Sequence, residues 1–242
     1  MNTIKFDAKN TKVIAHRGLS GLERENTNAA FVAAGNRESY FGIETDIHVT
    51  NDGVYAIHHD NTLDRVYGKS VNIEEATYSD INWVKGADKD NLTRSDLTIP
   101  TLDEYIRICK KYEKVAVLEI KNPMLPRQLD EVMAIIDTFD MCENTIIISF
   151  DWGNCEHIRK WVSKTQKIQF LCCEFSEELL AKLVENNIDL DIAHQAVTRE
   201  VVDKIHDSGL VINCWTVDNK ERAEELAAMG VDFITTNILE AK

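Results

Sequence analysis

Ionisable side chains interrupt four short apolar segments of the sequence, each near the point where the segment ends. These side chains are His16 and Arg17 in VIAHRG, Glu44 and Asp46 in IETDIHV, His59 and Asp60 in AIHHD, and Glu119 and Lys121 in VAVLEIK. A charged group is costly to bury unless an opposite charge, hydrogen bonds or a metal ion compensate it. Their recurrence at the ends of strand-like segments therefore indicates a functional site.

Three of these residues are carboxylates that suit a divalent cation. Glu44 and Asp46 share one face of a strand because they are two residues apart, and Glu119 would add a third oxygen donor. Crowded carboxylates repel one another and take up protons unless a cation compensates them. Oxygen ligands without cysteine favour Mg²⁺ or Ca²⁺ over zinc, with Mg²⁺ the first expectation. The alternative is a salt-bridge lattice with Arg17 and Lys121, which we would prefer for any single carboxylate.

Two histidines and two cations complete a set suited to cleaving a phosphate ester. His16 and His59 are candidates for general acid and general base, without an assignment of which is which, because imidazole titrates near neutrality. Arg17 and Lys121 could hold a phosphate, or could be counter-ions of the carboxylates. The histidines that we interpret as hydrogen-bonded core residues are His48, His58, His157 and His206, while His194 stays open.

Strand-like and helix-like segments alternate along the whole chain. The predicted strands are 12–16, 43–49, 115–120, 145–150, 168–172, 190–194, 210–217 and 233–236. The amphipathic segments between them are TLDEYIRICKKY, RQLDEVMAIIDTF, NCEHIRKWVSK, SEELLAKLVENN, REVVDKIHDSG and KERAEELAAMG. This alternation predicts a single (β/α)₈ TIM-type barrel domain over 1–242, with the active site at the carboxyl ends of the strands.

One further strand, 54–59, cannot belong to the parallel set. It follows the predicted strand 43–49 through Asn51-Asp52-Gly53, a tight hairpin turn. The antiparallel pairing would place His59 opposite Thr45 or Asp46. After the hairpin comes an insertion at about 61–98. The polar stretch 68–100 lacks a clean period, and we expect a small ordered subdomain over the active-site mouth.

Composition limits the classes of partner. The net charge of −14 argues against nucleic acid and anionic membranes, but a bound cation would still allow a small phosphate ester. The amino terminus lacks an apolar stretch behind a basic start, so we expect no signal peptide and a cytoplasmic protein without stable membrane association. The six cysteines lack a CxxC pair and are expected to be reduced thiols.

The motifs occur in a family order. HRG, ENT six residues later, AAF, IETDIHVTNDG, HHDNTLDR, IPTLDEY, LEIK and CWTVDN together resemble the glycerophosphodiester phosphodiesterase family over nearly the whole chain. Each motif is weak alone, whereas their ordered combination is specific. Three positions depart from the family pattern: Arg24 stands where a proline precedes ENT, and FITTNILE has Phe233 where a glycine is usual and Asn237 where an aspartate is usual.

The resemblance implies a barrel with an insertion after the hairpin. It also implies hydrolysis of glycerophosphodiesters to sn-glycerol 3-phosphate and an alcohol, as part of lipid and glycerol metabolism. By position, His16 and His59 match the acid/base histidines. Glu44, Asp46 and Glu119 match the metal ligands, and Arg17 and Lys121 match the phosphate-binding cations. Trp215 matches an aromatic residue that would contact substrate, or else packs in the core. The alternatives are a lysophospholipase D-like enzyme and a non-catalytic phospho-ligand-binding barrel; the oligomeric state stays open.

Overall fold

Eight parallel strands form a closed barrel in the computed structural model, which describes residues 2–242. The strands of the described chain are β1 (Ile4–Phe6), β2 (Lys12–Ala15), β3 (Tyr40–Val49), β4 (Tyr55–Ile57), β5 (Val115–Ile120), β6 (Thr145–Ser149), β7 (Lys167–Cys172), β8 (Asp189–Ala193), β9 (Ile212–Trp215), β10 (Phe233–Thr236) and β11 (Leu239–Ala241). The barrel order is β2-β10-β9-β8-β7-β6-β5-β3, and pairing of β2 with β3 closes it. The predicted TIM-type barrel is confirmed, and each of its eight predicted strands is present.

Helices surround the barrel and follow most of its strands. They are α1 (Asn28–Gly35), α2 (Asp64–Tyr67), α3 (Tyr78–Ile81), α4 (Leu102–Lys111), α5 (Pro126–Thr138), α6 (Trp152–His157), α7 (Glu177–Asn186), α8 (Arg199–Asp207) and α9 (Lys220–Met229). The six predicted amphipathic segments are helical, and the third continues from α6 into a π-helical turn at Ile158–Val162. Within the described residues, no helix combines the length and the apolarity that crossing a membrane requires.

Local sequence determines where several of these helices begin and end. The IPTLDEY motif forms a capping box at the start of α4: Thr101 accepts from the Glu104 N–H, and the Glu104 carboxylate accepts from the Thr101 N–H. Gly230 ends α9 in the left-handed conformation at φ +84°. These caps satisfy backbone groups that the helix leaves without partners, which sharpens the strand-to-helix turns.

Apolar residues fill both faces of the barrel wall, but the interior is only partly apolar. The inward layer contains Ile14, Val117, Ile146, Ile148, Leu171 and Phe233. The layer between strands and helices is much larger and includes Phe31, Ile47, Tyr105, Val132, Leu190 and Leu226. A closely packed outer layer holds the strand ends in fixed positions. The carboxyl end of the interior is thereby left for polar side chains.

The hairpin brings a histidine back toward β3. Strand β4 runs antiparallel to β3, with Ile57 opposite Ile47 and Ala56 opposite His48. One step further, the N–H of His58 donates to the Asp46 carbonyl at 3.1 Å. His59 therefore leaves the hairpin next to the strand that carries Glu44 and Asp46.

The insertion forms a small core of its own against β4. The residues of this core are Ala56, Leu63, Val66, Tyr67, Ile73, Ile81, Val84 and Ile99. Arg24 donates to the carbonyls of Ala87 and Asp88, and Arg94 pairs with Glu23 at 3.0 Å. The arginine that departs from the family pattern thus ties the loop after β2 to the insertion.

Candidate active site

A sharp turn after β2 brings the HRG motif into the site. Arg17 and Gly18 both have left-handed backbones, at φ +54° and +75°. A Cβ at position 18 would lie 2.6 Å from the Ala30 carbonyl carbon, so the close approach of α1 requires glycine. The turn directs the Arg17 N–H at Glu44 Oε2, 2.7 Å away.

The three predicted metal ligands converge at the carboxyl ends of two adjacent strands. Glu44 and Asp46 lie on β3, and Glu119 lies directly beside Asp46 in the register of β5. One oxygen from each carboxylate lies within 4.8 Å of the others. All three residues are buried, with exposures of 2%, 1% and 8%.

Both predicted cations contact this carboxylate cluster. Lys121 Nζ lies 2.6 Å from Glu119 Oε1 and 3.5 Å from Asp46 Oδ1, and Arg17 Nε lies 3.5 Å from Asp46 Oδ2. The salt-bridge arrangement is therefore present, but two cations do not balance three ionised carboxylates. Asp46 Oδ1 is buried and has no hydrogen-bond partner among the described residues. A buried carboxylate oxygen that has a distant ion-pair partner but no hydrogen bond, in an all-oxygen donor set, fits a hard divalent ion.

The electrostatics of the cluster indicate the same deficit of positive charge. Burial raises the pKa of Glu44 well above its usual range, and the nearby Asp46 and Glu119 charges add to the rise. Burial and Asp46 also raise the pKa of Glu119. Burial opposes ionisation of Asp46 as well, but Arg17 and Lys121 outweigh it and lower its pKa. Without a further cation the cluster retains protons that free carboxylates would release.

We expect Mg²⁺ or Ca²⁺ to stabilise the protein much more at about pH 8 than at about pH 5.5. Raised pKa values of Glu44 and Glu119 stabilise the fold below their ordinary pKa, and this contribution is lost as pH rises through the raised values. A cation that binds the ionised carboxylates restores this stability. At a hundredfold excess over Kd it should raise the unfolding temperature by about 5 to 10 °C. Thermal unfolding with each ion or with EDTA measures the difference.

Glu119→Gln is the matched variant for that measurement, because it keeps the shape of the side chain and removes one ionisable ligand. Its unfolding temperature should respond little to either ion at both pH values. An equal ion-induced shift at both pH values in the unaltered protein would contradict this account of the cluster.

His16 is held by an amide side chain. Its Nδ1 lies 2.7 Å from Asn237 Oδ1, while Asn237 Nδ2 donates to Asp218. Burial and the nearby Arg17 lower the pKa of His16 to about 4. With Nδ1 donating to the amide oxygen, the unprotonated Nε2 faces the carboxylate cluster, 3.9 Å from Glu44 Oε2. Asn237, which also departs from the family pattern, is therefore the orienting partner of His16.

His59 is held by a carboxylate instead. Its Nδ1 lies 2.7 Å from Asp60 Oδ1, and Asp60 Oδ2 accepts from Arg65 Nε at 2.7 Å. Arg65 also forms a forked pair with Glu25, which in turn accepts from Arg17 at 2.8 Å. Burial lowers the pKa of His59, opposed by Asp46 and Asp60. A continuous series of ion pairs thus connects Asp60, the partner of His59, with Arg17, the residue next to His16.

Several residues that shape the site carried no predicted role. Asn26 donates to Asp46 Oδ2 at 2.7 Å and accepts from Thr45, and Thr27 caps α1. Glu25 and Arg65 position the loops on either side of the cavity. The ENT and HHDNTLDR motifs contain these residues, but their partners lie far away in sequence.

The candidate residues surround one cavity of about 110 Å³. Its lining contains His16, Arg17, Glu44, His59, Glu119, Lys121, Ile148, Phe150, Leu171, Asp191, Trp215, Thr216 and Thr235. Asp46 lies behind this surface. Trp215 meets Phe150 edge to face, with ring centroids 5.6 Å apart, so it both packs against a neighbour and borders the cavity. Asp191 and Thr235 were not among the predicted site residues.

The remaining histidines lie outside this cavity lining. His48 and His58 are buried and contact Glu74 and the Thr62 carbonyl, as predicted. The core prediction was wrong for His157 and His206, which form ion pairs near the surface. Each sits on a helix face that has an aspartate from a neighbouring element beside it. His194 begins a short 3₁₀ turn after β8.

A closed parallel barrel whose strand ends carry carboxylates, imidazoles and cations around one cavity has the architecture of a TIM-barrel enzyme. The family model of the glycerophosphoryl diester phosphodiesterase family matches residues 16–241. The chain belongs to this family, which confirms the resemblance drawn from its ordered motifs.

Similar proteins cover nearly the whole chain. A glycerophosphodiester phosphodiesterase of Caldanaerobacter subterraneus is 28% identical over 229 residues, which are 94% of each protein. The crystal structure of a glycerophosphodiester phosphodiesterase from Parabacteroides distasonis has a TM-score of 0.76 at 27% identity, covering 97% of this chain and 94% of that one. An Oleispira antarctica phosphodiesterase, solved with its product sn-glycerol-3-phosphate, shares the fold with a TM-score of 0.81 at 20% identity, covering 94% and 93%.

Proposed function

We propose that this protein is a metal-dependent phosphodiesterase that hydrolyses glycerophosphodiesters to sn-glycerol 3-phosphate and an alcohol. The observation that carries the proposal is the convergence of His16, His59 and the carboxylate cluster on one cavity. Family membership supports the substrate class, and the named activities of the relatives agree with it.

Arg17 and Lys121 are proposed to hold the phosphate. Both line the cavity, and a fixed guanidinium and a fixed ammonium would form charge-assisted hydrogen bonds with the non-bridging oxygens. Glu44, Asp46 and Glu119 would hold one divalent ion, Mg²⁺ in preference to Ca²⁺, which would supply Lewis-acid stabilisation of negative charge on the phosphate. Asn26 keeps Asp46 in place for that task.

The different partners of the two histidines support different roles. The neutral Asn237 amide holds the neutral tautomer of His16, so we assign His16 as the general base whose Nε2 takes the proton of the nucleophile. The Asp60 carboxylate opposes the lowering of the His59 pKa by burial and so favours its protonated form more than the Asn237 amide favours that of His16. We therefore assign His59 as the general acid that protonates the departing alkoxide. After turnover His16 carries the proton of the nucleophile and His59 has lost the proton given to the alkoxide, and exchange with solvent returns both rings to their starting states.

Two nucleophiles remain open in this scheme. Water could attack phosphorus directly, or the glycerol 2-hydroxyl could attack internally and give a cyclic phosphate that water then opens. An internal nucleophile gains from proximity because it is already held beside phosphorus. Detection of the cyclic phosphate by ³¹P NMR during turnover distinguishes the second route from the first.

The proposed function predicts release of glycerol 3-phosphate from a panel of substrates. Glycerophosphocholine, glycerophosphoethanolamine, glycerophosphoglycerol and glycerophosphoinositol should each be cleaved with Mg²⁺ or Ca²⁺, and none with excess EDTA. An enzyme-coupled assay for glycerol 3-phosphate measures this directly. Higher turnover of lysophosphatidylcholine would favour the lysophospholipase D-like alternative, and cleavage of no member of the panel would favour a non-catalytic binding barrel.

We further propose that the chain works as one cytoplasmic catalytic domain, with 61–98 as an insertion in it. The ion pair of Arg65 with Glu25 and the contacts of Arg24 with Ala87 and Asp88 support this, because they join the insertion to the loop after β2. The net charge of −14 favours a small-molecule substrate over nucleic acid or an anionic membrane.

A further inference from the structure

Asp191 lines the cavity, and one of its carboxyl oxygens lacks a hydrogen bond within residues 2–242. The residue lies on β8 and is 1% exposed. Its Oδ2 accepts from Asn213 Nδ2 at 3.2 Å, but its Oδ1 is buried and has no hydrogen-bond partner within residues 2–242. Asn213 is fixed in turn by Gln169 and Thr235. This interior network holds the Asp191 carboxyl in one orientation at the cavity wall.

The barrel order places this carboxyl across the cavity from the carboxylate cluster. Strand β8 is separated from β3 by three strands in either direction around the closed barrel, so the two strands face each other. Trp215 lies on β9 two residues beyond Asn213, on the same face, and its Nε1 also has no hydrogen-bond partner in the described part of the chain. Two unpartnered polar groups therefore border the side of the cavity opposite Glu44 and Asp46.

These two groups suit a hydroxyl better than an ion. An indole N–H only donates, and a carboxyl can donate or accept. Burial, together with the nearby Glu119, raises the pKa of Asp191 well above its usual range, which favours the neutral acid. A buried polar atom without a partner costs free energy, and a ligand hydroxyl would recover it.

We propose that Asp191 determines specificity by hydrogen-bonding the terminal hydroxyl of the substrate's glycerol unit, the hydroxyl remote from the phosphate ester. The inference rests on the proposed function. With phosphate held on the β2, β3 and β5 side by Arg17 and Lys121, the carbon chain extends across the cavity and its far end meets β8. An acyl chain on that hydroxyl would remove the hydrogen-bond donor that faces Asp191.

A substrate–variant cycle tests the contact. The substrates are glycerophosphocholine and 2-hydroxypropyl phosphocholine, which lacks only the terminal hydroxyl. In the unaltered enzyme kcat/KM should fall about tenfold when the hydroxyl is removed. Asp191→Leu should lose about tenfold on glycerophosphocholine, mainly through KM, and show no further loss on the analogue. Asp191→Asn, which keeps the shape and hydrogen-bonding capacity, should retain the discrimination.

Asp189→Leu is the matched control. It makes the same substitution two residues earlier on β8, at a side chain that accepts from the Val211 N–H and does not line the cavity, so the tenfold discrimination should persist. Equal losses of Asp191→Leu on both substrates would make Asp191 a structural residue and overturn the inference. So would an unaltered enzyme that does not distinguish the substrates, even if Asp191→Leu fails to fold. An unaltered enzyme that cleaves neither compound contradicts the proposed function itself, and the inference with it.

Discussion

Replacing His16 or His59 by alanine should lower kcat for glycerol 3-phosphate release by about 100- to 10,000-fold. Both imidazoles line the cavity, and each is oriented through Nδ1 by a separate partner, Asn237 or Asp60. Alanine removes the proposed proton acceptor or proton donor while leaving Arg17, Lys121 and the carboxylate cluster in place. Steady-state kinetics with glycerophosphocholine measure the loss, which should lie in kcat far more than in KM.

His206→Ala is the control for these variants, since His206 forms an ion pair near the surface with Asp232. It should keep the kcat of the unaltered enzyme. The assignment of base and acid adds a finer expectation: a substrate with a good leaving group, such as p-nitrophenol, should restore activity to His59→Ala and not to His16→Ala. Unchanged turnover in either histidine variant would remove that residue from the mechanism.

Removing the divalent ion should abolish turnover. Replacing one of its proposed carboxylate ligands by the corresponding amide should have nearly the same effect. Glu44→Gln and Glu119→Gln each keep the shape of the side chain but remove a negative charge from the cluster that would hold the ion. We expect kcat to fall at least about 100-fold, because removal of one group that stabilises transition-state charge commonly costs that much. Assays after EDTA treatment, followed by titration with Mg²⁺ or Ca²⁺, measure the dependence.

A matched control replaces an acidic residue outside the site. Glu113 lies in the loop before β5. The variant Glu113→Gln should leave the activity and its dependence on the metal ion unchanged. Restoration by added Mg²⁺ should be complete in the unaltered enzyme and weak in Glu119→Gln at equal ion concentration. Full turnover in excess chelator would refute the three-carboxylate site, whatever the variants do.

One helix and two strands were not predicted because their sequences show neither helical nor alternating hydrophobic periodicity. Helix α1 reads NAAFVAAG and is small and apolar on most faces, so it lacks the amphipathic pattern that marked the later helices. Strands β1 and β11 have three residues each and pair with one another across almost the whole chain. A three-residue segment is too short to show alternation, and its partner is invisible to local sequence.

The hydrogen-bond and ion-pair partners around His16 and His59 could not be predicted from the sequence either. The forked pair of Arg65 with Glu25 joins residues 40 apart, and the hydrogen bond of His16 with Asn237 joins residues 221 apart. The motifs contained these residues without indicating whom they contact. Only closure of the barrel, which brings β2 between β3 and β10, sets Asn237 beside His16.

The sequence alone determined the barrel and the group of side chains at its carboxyl end. Strand periodicity fixes which side chains face inward, and the shared direction of parallel strands brings their ends to one rim, so Glu44, Asp46 and Glu119 had to be neighbours. The tertiary structure decided what each group contacts across the interior. Asp191 faces the cluster because eight strands close into a ring, and no local pattern along one strand encodes what lies on the opposite wall.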